Sequence, residues 1–437
     1  MIAKSCVSGV PSLLCASLKK GGIMKRKLVA ALFLTFLGTV CLTAQTIAIR
    51  AGNVIDPATG SVAKNQTILI EKGRITEVGG KEVPKDVQVI DLSSAWVMPG
   101  LMDAHMHVTF NLPVGSIGFE SSYAHESSAL RAILGARNVK LILESGFTTI
   151  KDIGNDANYV AIDVRRAIEK GWIVGPTMLT TGKIIAAFGG QTQNYVPEAG
   201  PSWQYEYIDA DTPDEIRKAV RRNIYYGSNA IKLVADNNKY FYSQAEIRAA
   251  VEEAHSAGVT VAVHVMGGEA ARNVILAGAE SIEHGFDLSD ELLKLMKEKG
   301  TFLVGTDFPR SHLDAMGFDA YTMADKIVDR LRRAYKAGVK MAFGTDVVVD
   351  LPGKNRAEMD LDFLDTWTAA GVPPAHILKC MTTNPAELFR MQTQRGAITK
   401  GFWADIVATP ENPLENIQAL KKINFVMKDG KVIRQPK

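Results

Sequence analysis

Val97-Met98-Pro99-Gly100-Leu101-Met102-Asp103-Ala104-His105-Met106-His107 is an apolar run that closes on two histidines two residues apart. If the run is a β-strand, its side chains alternate faces, so His105 and His107 share one side. Both imidazoles can then reach one metal ion, provided the strand ends in a cleft. A His-x-His pair by itself is as readily a chance feature of a strand. The remaining chain shifts that balance, because it supplies a Lys, two more His and an Asp, each at the end of its own apolar run.

Downstream of this stretch, from 100 to 394, strand-like and helix-like segments alternate. Eight apolar strands are expected: LMDAHMHV, FTTIKDIG, TMLTTGKII, AIKLVAD, VTVAVHVM, ESIEHGF, TFLVGTD and KMAFGTDVVV. Amphipathic helices separate them, such as 243–258 and 323–338. The first of these opens on Ser243 with Glu246 three residues later, and both close on Gly. Eight strand–helix units in this length predict an α/β fold of the (β/α)8 TIM barrel type, with its site at the C-terminal strand ends. A doubly wound open sheet is the alternative, but no Gly-rich fingerprint follows the first strand.

Upstream, residues 46–99 are short Val/Ile-rich runs broken by Gly, Asn and Asp, and 395–437 repeat the style. A small composite β-sandwich domain built from both chain ends, largely antiparallel, is the expectation. Asn65–Gly73 and Met427–Val432 are expected to contribute hairpin strands.

Met24-Lys25-Arg26-Lys27 precedes an uncharged run from Leu28 to Ala44. Basic residues, an apolar stretch and a small residue before Gln45 predict a signal peptide over 1–44, cleaved near Ala44, with translation starting at Met1 or at Met24. The run is short for a membrane span of about 20 residues, so no stable membrane anchor is expected after cleavage. Cys41 raises a lipoprotein alternative, which Val40 disfavours. Of 50 Lys/Arg, six lie in 1–44 and none of the 47 Asp/Glu does, so the remaining chain carries 44 against 47. The basic balance therefore belongs to the leader and predicts no nucleic-acid partner. Three of four cysteines also leave with it, so only Cys380 remains and no internal disulfide is possible. Such a chain suits a bacterial periplasm or secretion, and a homo-oligomer is compatible with it.

The chemistry-bearing residues fall where a barrel places a site. His105 and His107 end strand 1, Lys232 lies in strand 4, His264 in strand 5, His284 in strand 6 and Asp346 in strand 8. A lysine pointing unpaired into an apolar barrel is costly. Reaction with CO2, which turns the amine into a carboxylate able to bridge two cations, is one solution; pairing with Asp236 is another. His264 and His284 singly read as core histidines, and Asp346 as a cap or turn residue. Jointly, four histidines and an aspartate at the strand ends of one barrel predict a metal site.

These residues sit in VMPGLMDAHMH, AIKLV, VAVHV, SIEHG and FGTD, an ordered set that resembles the metal-site motifs of the amidohydrolase superfamily. The likeness runs on through GAITKGFWADIVATPENPLENI to VMKDGKVI and covers 46–435. It is nearest the imidazolonepropionase-like branch, with its Xaa-Pro and Xaa-Arg dipeptidases and related carboxypeptidases. The resemblance implies two divalent metal ions, zinc being expected. His105, His107 and Asp346 would hold one ion, His264 and His284 the other, and carboxylated Lys232 would bridge them. It also implies Asp346 as the catalytic proton carrier. The chain departs from the branch at Gly189-Gly190-Gln191, where Gly-Gly-His is usual. It departs again at Met266, where Tyr or His is common, and at Gly353, which follows Pro352 where His-Gly is usual.

Substrate contacts are expected from Gln191, Tyr242 and the loops after strands 3, 7 and 8. Arg310, His312, Lys354 and Arg356 are the candidates for binding a substrate carboxylate, with Arg310 preferred for its two-bond geometry behind Pro309. The expected activity is hydrolysis of an amide in a dipeptide or N-acyl amino acid. A cyclic amide, lactone or ester at the same centre is the alternative, and a binding protein with a vestigial site is disfavoured by the full ligand set.

Overall fold

Two tight turns show how local chemistry sets the terminal sheet. Lys72-Gly73 and Asp429-Gly430 all adopt positive φ. That is the backbone of two-residue hairpins whose twist matches the flanking strands. They join β2 (Ser61–Glu71) to β3 (Arg74–Gly79), and β17 (Phe425–Lys428) to β18 (Lys431–Arg434). With β1 (Ile47–Asp56), β4 (Gln88–Pro99) and β16 (Ile406–Thr409) they form one seven-stranded sheet in the order β18-β17-β16-β4-β1-β2-β3. The structure is a computed structural model and describes residues 46–436 except 81, 84, 86, 114–124, 155, 156, 193, 194, 238 and 239. The leader expected over 1–44 lies outside the described residues.

The sheet has its own apolar cluster, in which Ile49, Ile68 and Val97 from the N-terminal half meet Ile406, Phe425 and Met427 from the C-terminal half. Its one departure from the expected antiparallel pattern is β1, which runs parallel to β4 with a break in register at Ala51/Asn53. Gly52 sits in that break because a Cβ there would lie 1.9 Å from the Ser93 carbonyl oxygen. β4 then passes through Gly100 directly into the barrel, and a Cβ at Gly100 would strike the Thr148 side chain at 2.1 Å.

The barrel strands are β5 (Leu101–Met106), β7 (Phe147–Asp152), β8 (Thr177–Thr180), β11 (Ala230–Val234), β12 (Thr260–Gly267), β13 (Ser281–Asp287) and β14 (Phe302–Val304). Neighbours pair in parallel. Between β8 and β11, Asn229 N–H donates to Thr180 O. The eighth unit is less regular than expected. Residues 340–346 bond Leu303 on one side, while Ala104 N–H donates to Phe343 O and both Thr345 and Asp346 donate to His105 O on the other. A positive φ at Asp346 interrupts any ladder there. Short additions flank the ring: β6 (Leu112–Pro113) with β15 (Val349–Asp350), and β9 (Ile184–Ala186) with β10 (Tyr207–Asp209).

Helices follow the strands, among them Pro213–Tyr226, Gln244–Ser256, Ala320–Ala337 and Arg356–Ala369. The expected capping box at Ser243 and Glu246 is present, and Gly338 closes its helix in the left-handed conformation. Among the described residues no helix is long and apolar enough to cross a membrane. Cys380 is buried.

Candidate metal centre

The side chains gathered at the strand ends are built outward from His105 and His107. Their ring centroids lie 5.4 Å apart, and both rings are buried. His107 Nδ1 is 2.8 Å from the Gly154 carbonyl and so donates to it, which leaves Nε2 with its lone pair facing inward. Gly154 can present that carbonyl because it adopts a φ of 112°, and a Cβ there would lie 2.6 Å from Ile184. His105 Nδ1 is held by Glu283 Oε2 at 2.7 Å, and Ser281 donates to the other carboxylate oxygen. The inward nitrogens approach Asp346 Oδ1, at 3.5 Å from His105 and 3.0 Å from His107. Ligand atoms of these three residues all lie within 4.8 Å of one another.

The other histidines complete the cluster. His284 stacks edge-on to His105 at 5.1 Å and to His264 at 4.5 Å, and its Nδ1 contacts Thr306 Oγ1 at 2.8 Å. Glu283 and His284 are sequence neighbours, so on a regular strand they would face opposite sides. Both nevertheless reach the site, because His284 takes a φ of 67°. Thr306 and Asp346 also hold positive φ, at the ends of strands 7 and 8. Such backbone costs about 1–3 kcal/mol per residue and gathers at functional sites.

The electrostatics favour a ligand set. Burial drives His264 down to about 3 and His284 well below its usual value, so both imidazoles are neutral. Burial alone would raise the Asp346 carboxyl, but His105 and His107 outweigh it and hold it well below the ordinary range. Glu283 behaves likewise: burial opposes ionisation, yet Lys151 and His105 bring it down to about 2. Lys232 is buried, and desolvation lowers its ammonium to about 8 against the pull of Glu283 and Asp346. Among the described residues it forms no ion pair, Asp236 included. Neutral imidazoles and an ionised carboxylate are the protonation states that cation binding needs, and the lowered Lys232 ammonium releases its proton more readily than an exposed lysine.

A cavity of about 450 Å³ opens over the cluster. His105, His107, Lys232, His264, His284 and Asp346 line it, as does Gln191, whose amide nitrogen is 3.0 Å from His264 Nε2. Tyr207 donates to the Gln191 carbonyl at 3.3 Å.

The other expected substrate contacts lie elsewhere, each for a definable reason. Tyr242 is buried in the barrel core with its hydroxyl donated to Ala210 O at 2.5 Å, so it is a packing residue. Arg310 opens a short helix, lies over the Tyr321 ring at 4.2 Å and approaches Asp325 at 3.5 Å; it is half exposed and off the cavity. His312 is buried against Phe363. Lys354 pairs with Asp362 at 2.5 Å, in a different groove. Arg356 is buried behind the site, where it donates to His107 O at 2.8 Å and to Asn111 at 3.1 Å. Two charged lining residues escaped the sequence reading, Asp287 and Lys326, as did Tyr207 and, Met266 apart, the apolar side chains of the lining. Glu283 escaped it too, although a Glu inside the apolar strand SIEHG was the available signal.

Fold and site together define a class: a (β/α)8 enzyme whose chemistry sits where the strand ends collect imidazoles and a carboxylate. The chain belongs to the amidohydrolase family, whose model matches residues 96–433. It is 30% identical over 436 residues to the ochratoxinase of Aspergillus niger, spanning 90% of this chain and 88% of that protein. Among solved structures it is similar to a Xaa-Pro dipeptidase with methionine bound in the active site, at 29% identity and a TM-score of 0.78. That match spans 89% of this chain and 100% of the other. The crystal structure of A. niger ochratoxinase matches at 27% identity and a TM-score of 0.76, over 90% and 96% of the two chains. These relatives agree with the imidazolonepropionase-like branch, and family and relatives together support a hydrolase.

Proposed function

We propose that the chain is an exported, metal-dependent hydrolase that cleaves an amide bond in a dipeptide or an N-acyl amino acid. The observation that carries this reading is the convergence of His105, His107 and Asp346 within 4.8 Å, at a cavity also lined by His264, His284 and Lys232. Similarity to a protein named as a dipeptidase supports the amide as the bond cut. In this reading His105, His107 and Asp346 hold one divalent ion, and His264 and His284 hold a second. Lys232, as the neutral amine, would add to CO2 and lose a proton, giving a carboxylate that would serve as a further ligand. Zinc ions so held would supply the Lewis acidity that makes hydroxide available near neutral pH and polarises the scissile carbonyl.

The chain's own groups do the rest. Asp346 is ionised and faces the cavity, so it can take a proton from the attacking water and deliver it to the departing nitrogen. Glu283 and the Gly154 carbonyl fix the ring orientations of His105 and His107, which keeps their free nitrogens turned inward. The signal peptide over 1–44 directs the product to the periplasm or the medium.

The test is a panel of dipeptides, N-acyl amino acids, lactams and aryl esters offered to zinc-supplemented and chelator-treated protein. Turnover of a linear amide that falls with chelation and returns with zinc is expected. Turnover of lactams or esters alone would replace the amide reading, and activity indifferent to chelation would end the metal reading.

A further inference from the structure

Away from the ionisable cluster the cavity lining is largely apolar. Phe286, Phe308, Leu313, Met316, Phe318 and Met323 line it, contributed by the end of β13, the segment after β14 and the start of helix Ala320–Ala337, and Phe286 joins them to the cluster by standing edge-on to His284 at 5.8 Å. Apolar surface held open beside a charged cluster gains most when a ligand's own apolar group covers it.

Set into that wall is an ion pair. Lys326 lies three residues after Met323, on the same helix face, and its ammonium contacts the carboxylate of Asp287 at the end of β13. Both side chains are about half exposed, at 43% and 55%, and both line the cavity. Among the described residues the lining contains one other lysine, Lys232, and no arginine. Lys232 lies down among the imidazoles, so among the described residues Lys326 is the cation that a ligand meets at the wall. A pair between half-exposed groups is weak and exchangeable. An ammonium has three donors, so one can stay on Asp287 while another takes a ligand oxygen.

Resting on the hydrolase reading above, we infer that Lys326 is a specificity-determining residue that binds a free substrate carboxylate. Asp287 positions its ammonium, and the neighbouring wall receives a large apolar side chain. The substrate class is then an acylated or N-terminally extended apolar amino acid, of the phenylalanine, leucine or methionine kind, with its carboxylate free. Glycine in that place leaves the wall uncovered, and a blocked carboxylate leaves Lys326 without a partner. A ligand ammonium on Asp287 is the competing use of the same pair.

Calorimetric titration of the metal-supplemented full chain separates these uses, with N-acetyl-phenylalanine, its carboxamide, N-acetylglycine and phenylalaninamide as probes. A charge-assisted hydrogen bond predicts about ten- to hundredfold tighter binding of the free acid than of the carboxamide. The preference should vanish in Lys326→Met and survive within a few-fold in Lys326→Arg. N-acetylglycine should bind weakly to all three proteins. The thermal midpoint and the zinc bound per chain should be unchanged in Lys326→Met, which shows that fold and centre are intact. An acid preference that persists in Lys326→Met places the carboxylate on the metals and overturns the assignment. So does the absence of any preference in the parent protein, tighter binding of phenylalaninamide, or an equal loss on acid and carboxamide. The expected binding pattern without turnover of any amide or ester would instead sink the hydrolase reading and leave this site standing.

Discussion

His105 Nδ1 lies 2.7 Å from Glu283 Oε2, and both side chains are closed off from solvent. The contact fixes which nitrogen of His105 carries the proton and aims the other at the cavity. Glu283 stays ionised in a buried place because Lys151 and His105 stabilise its charge. Glu283→Gln keeps the shape and one acceptor but removes the charge. Metal affinity is expected to fall about 10- to 100-fold, the usual loss for an orienting partner. Zinc titration against a competing chelator measures it; unchanged affinity would reduce Glu283 to a buried packing group.

Lys232 is expected to carry a carboxylate in the active protein. Its lowered ammonium makes the neutral amine available near neutral pH, and CO2 converts it into an anion that two cations can share. Lys232→Ala should lose both metal and activity, and a short carboxylic acid such as acetate should restore part of each. Intact-mass measurement under bicarbonate, combined with elemental analysis near two ions per chain, reads the same feature. Two bound ions beside an unmodified ammonium would contradict it.

Asp346→Asn separates holding a cation from moving a proton. Asparagine still offers one carbonyl oxygen, so substantial metal should remain. It cannot accept a proton from water, so kcat should drop about 100- to 10,000-fold, with KM changed far less. A loss below about tenfold would move the proton-carrying role to another group.

The residues proposed as ligands were legible because each stands at the end of an apolar run, and a barrel brings such ends together whatever the loops do. His105, His107, His264, His284 and Asp346 therefore needed only the order of the strands. Lys326 was not legible, since its helix position looks like any solvated lysine until helix Ala320–Ala337 packs over the cavity. Arg310 misled for the same reason: belonging to the strand-7 loop does not set where a side chain goes, and Tyr321 draws it outward. Tyr242 misled as a substrate contact, because the residue just before the Ser243 cap turns its ring into the core, where its hydroxyl bonds Ala210 O. The β1–β4 pairing was hidden because parallel partners so far apart leave no turn signal between them. The hairpins at Lys72-Gly73 and Asp429-Gly430 announced themselves.

Arg356 supplies the last prediction, which follows from its buried position rather than from the carboxylate-binding role expected of it as a loop cation. Its guanidinium donates to His107 O and to Asn111 Oδ1, with Asp360 at 3.6 Å. It thus ties the end of barrel strand 1 to the helix that follows strand 8. Asp360 is fully buried and its carboxyl is lifted by burial to about 7, with Arg356 as the opposing pull. Removing the cation leaves that carboxyl and two acceptors without it. Breaking such an arrangement typically costs about 3–5 kcal/mol. Arg356→Met should therefore lower the denaturation midpoint markedly. It should weaken metal retention at His107 and reduce turnover of charged and neutral substrates alike. Chemical denaturation and parallel kinetics on a free acid and its carboxamide check this together. If the free acid alone suffered and stability held, Arg356 would be a carboxylate-binding residue after all.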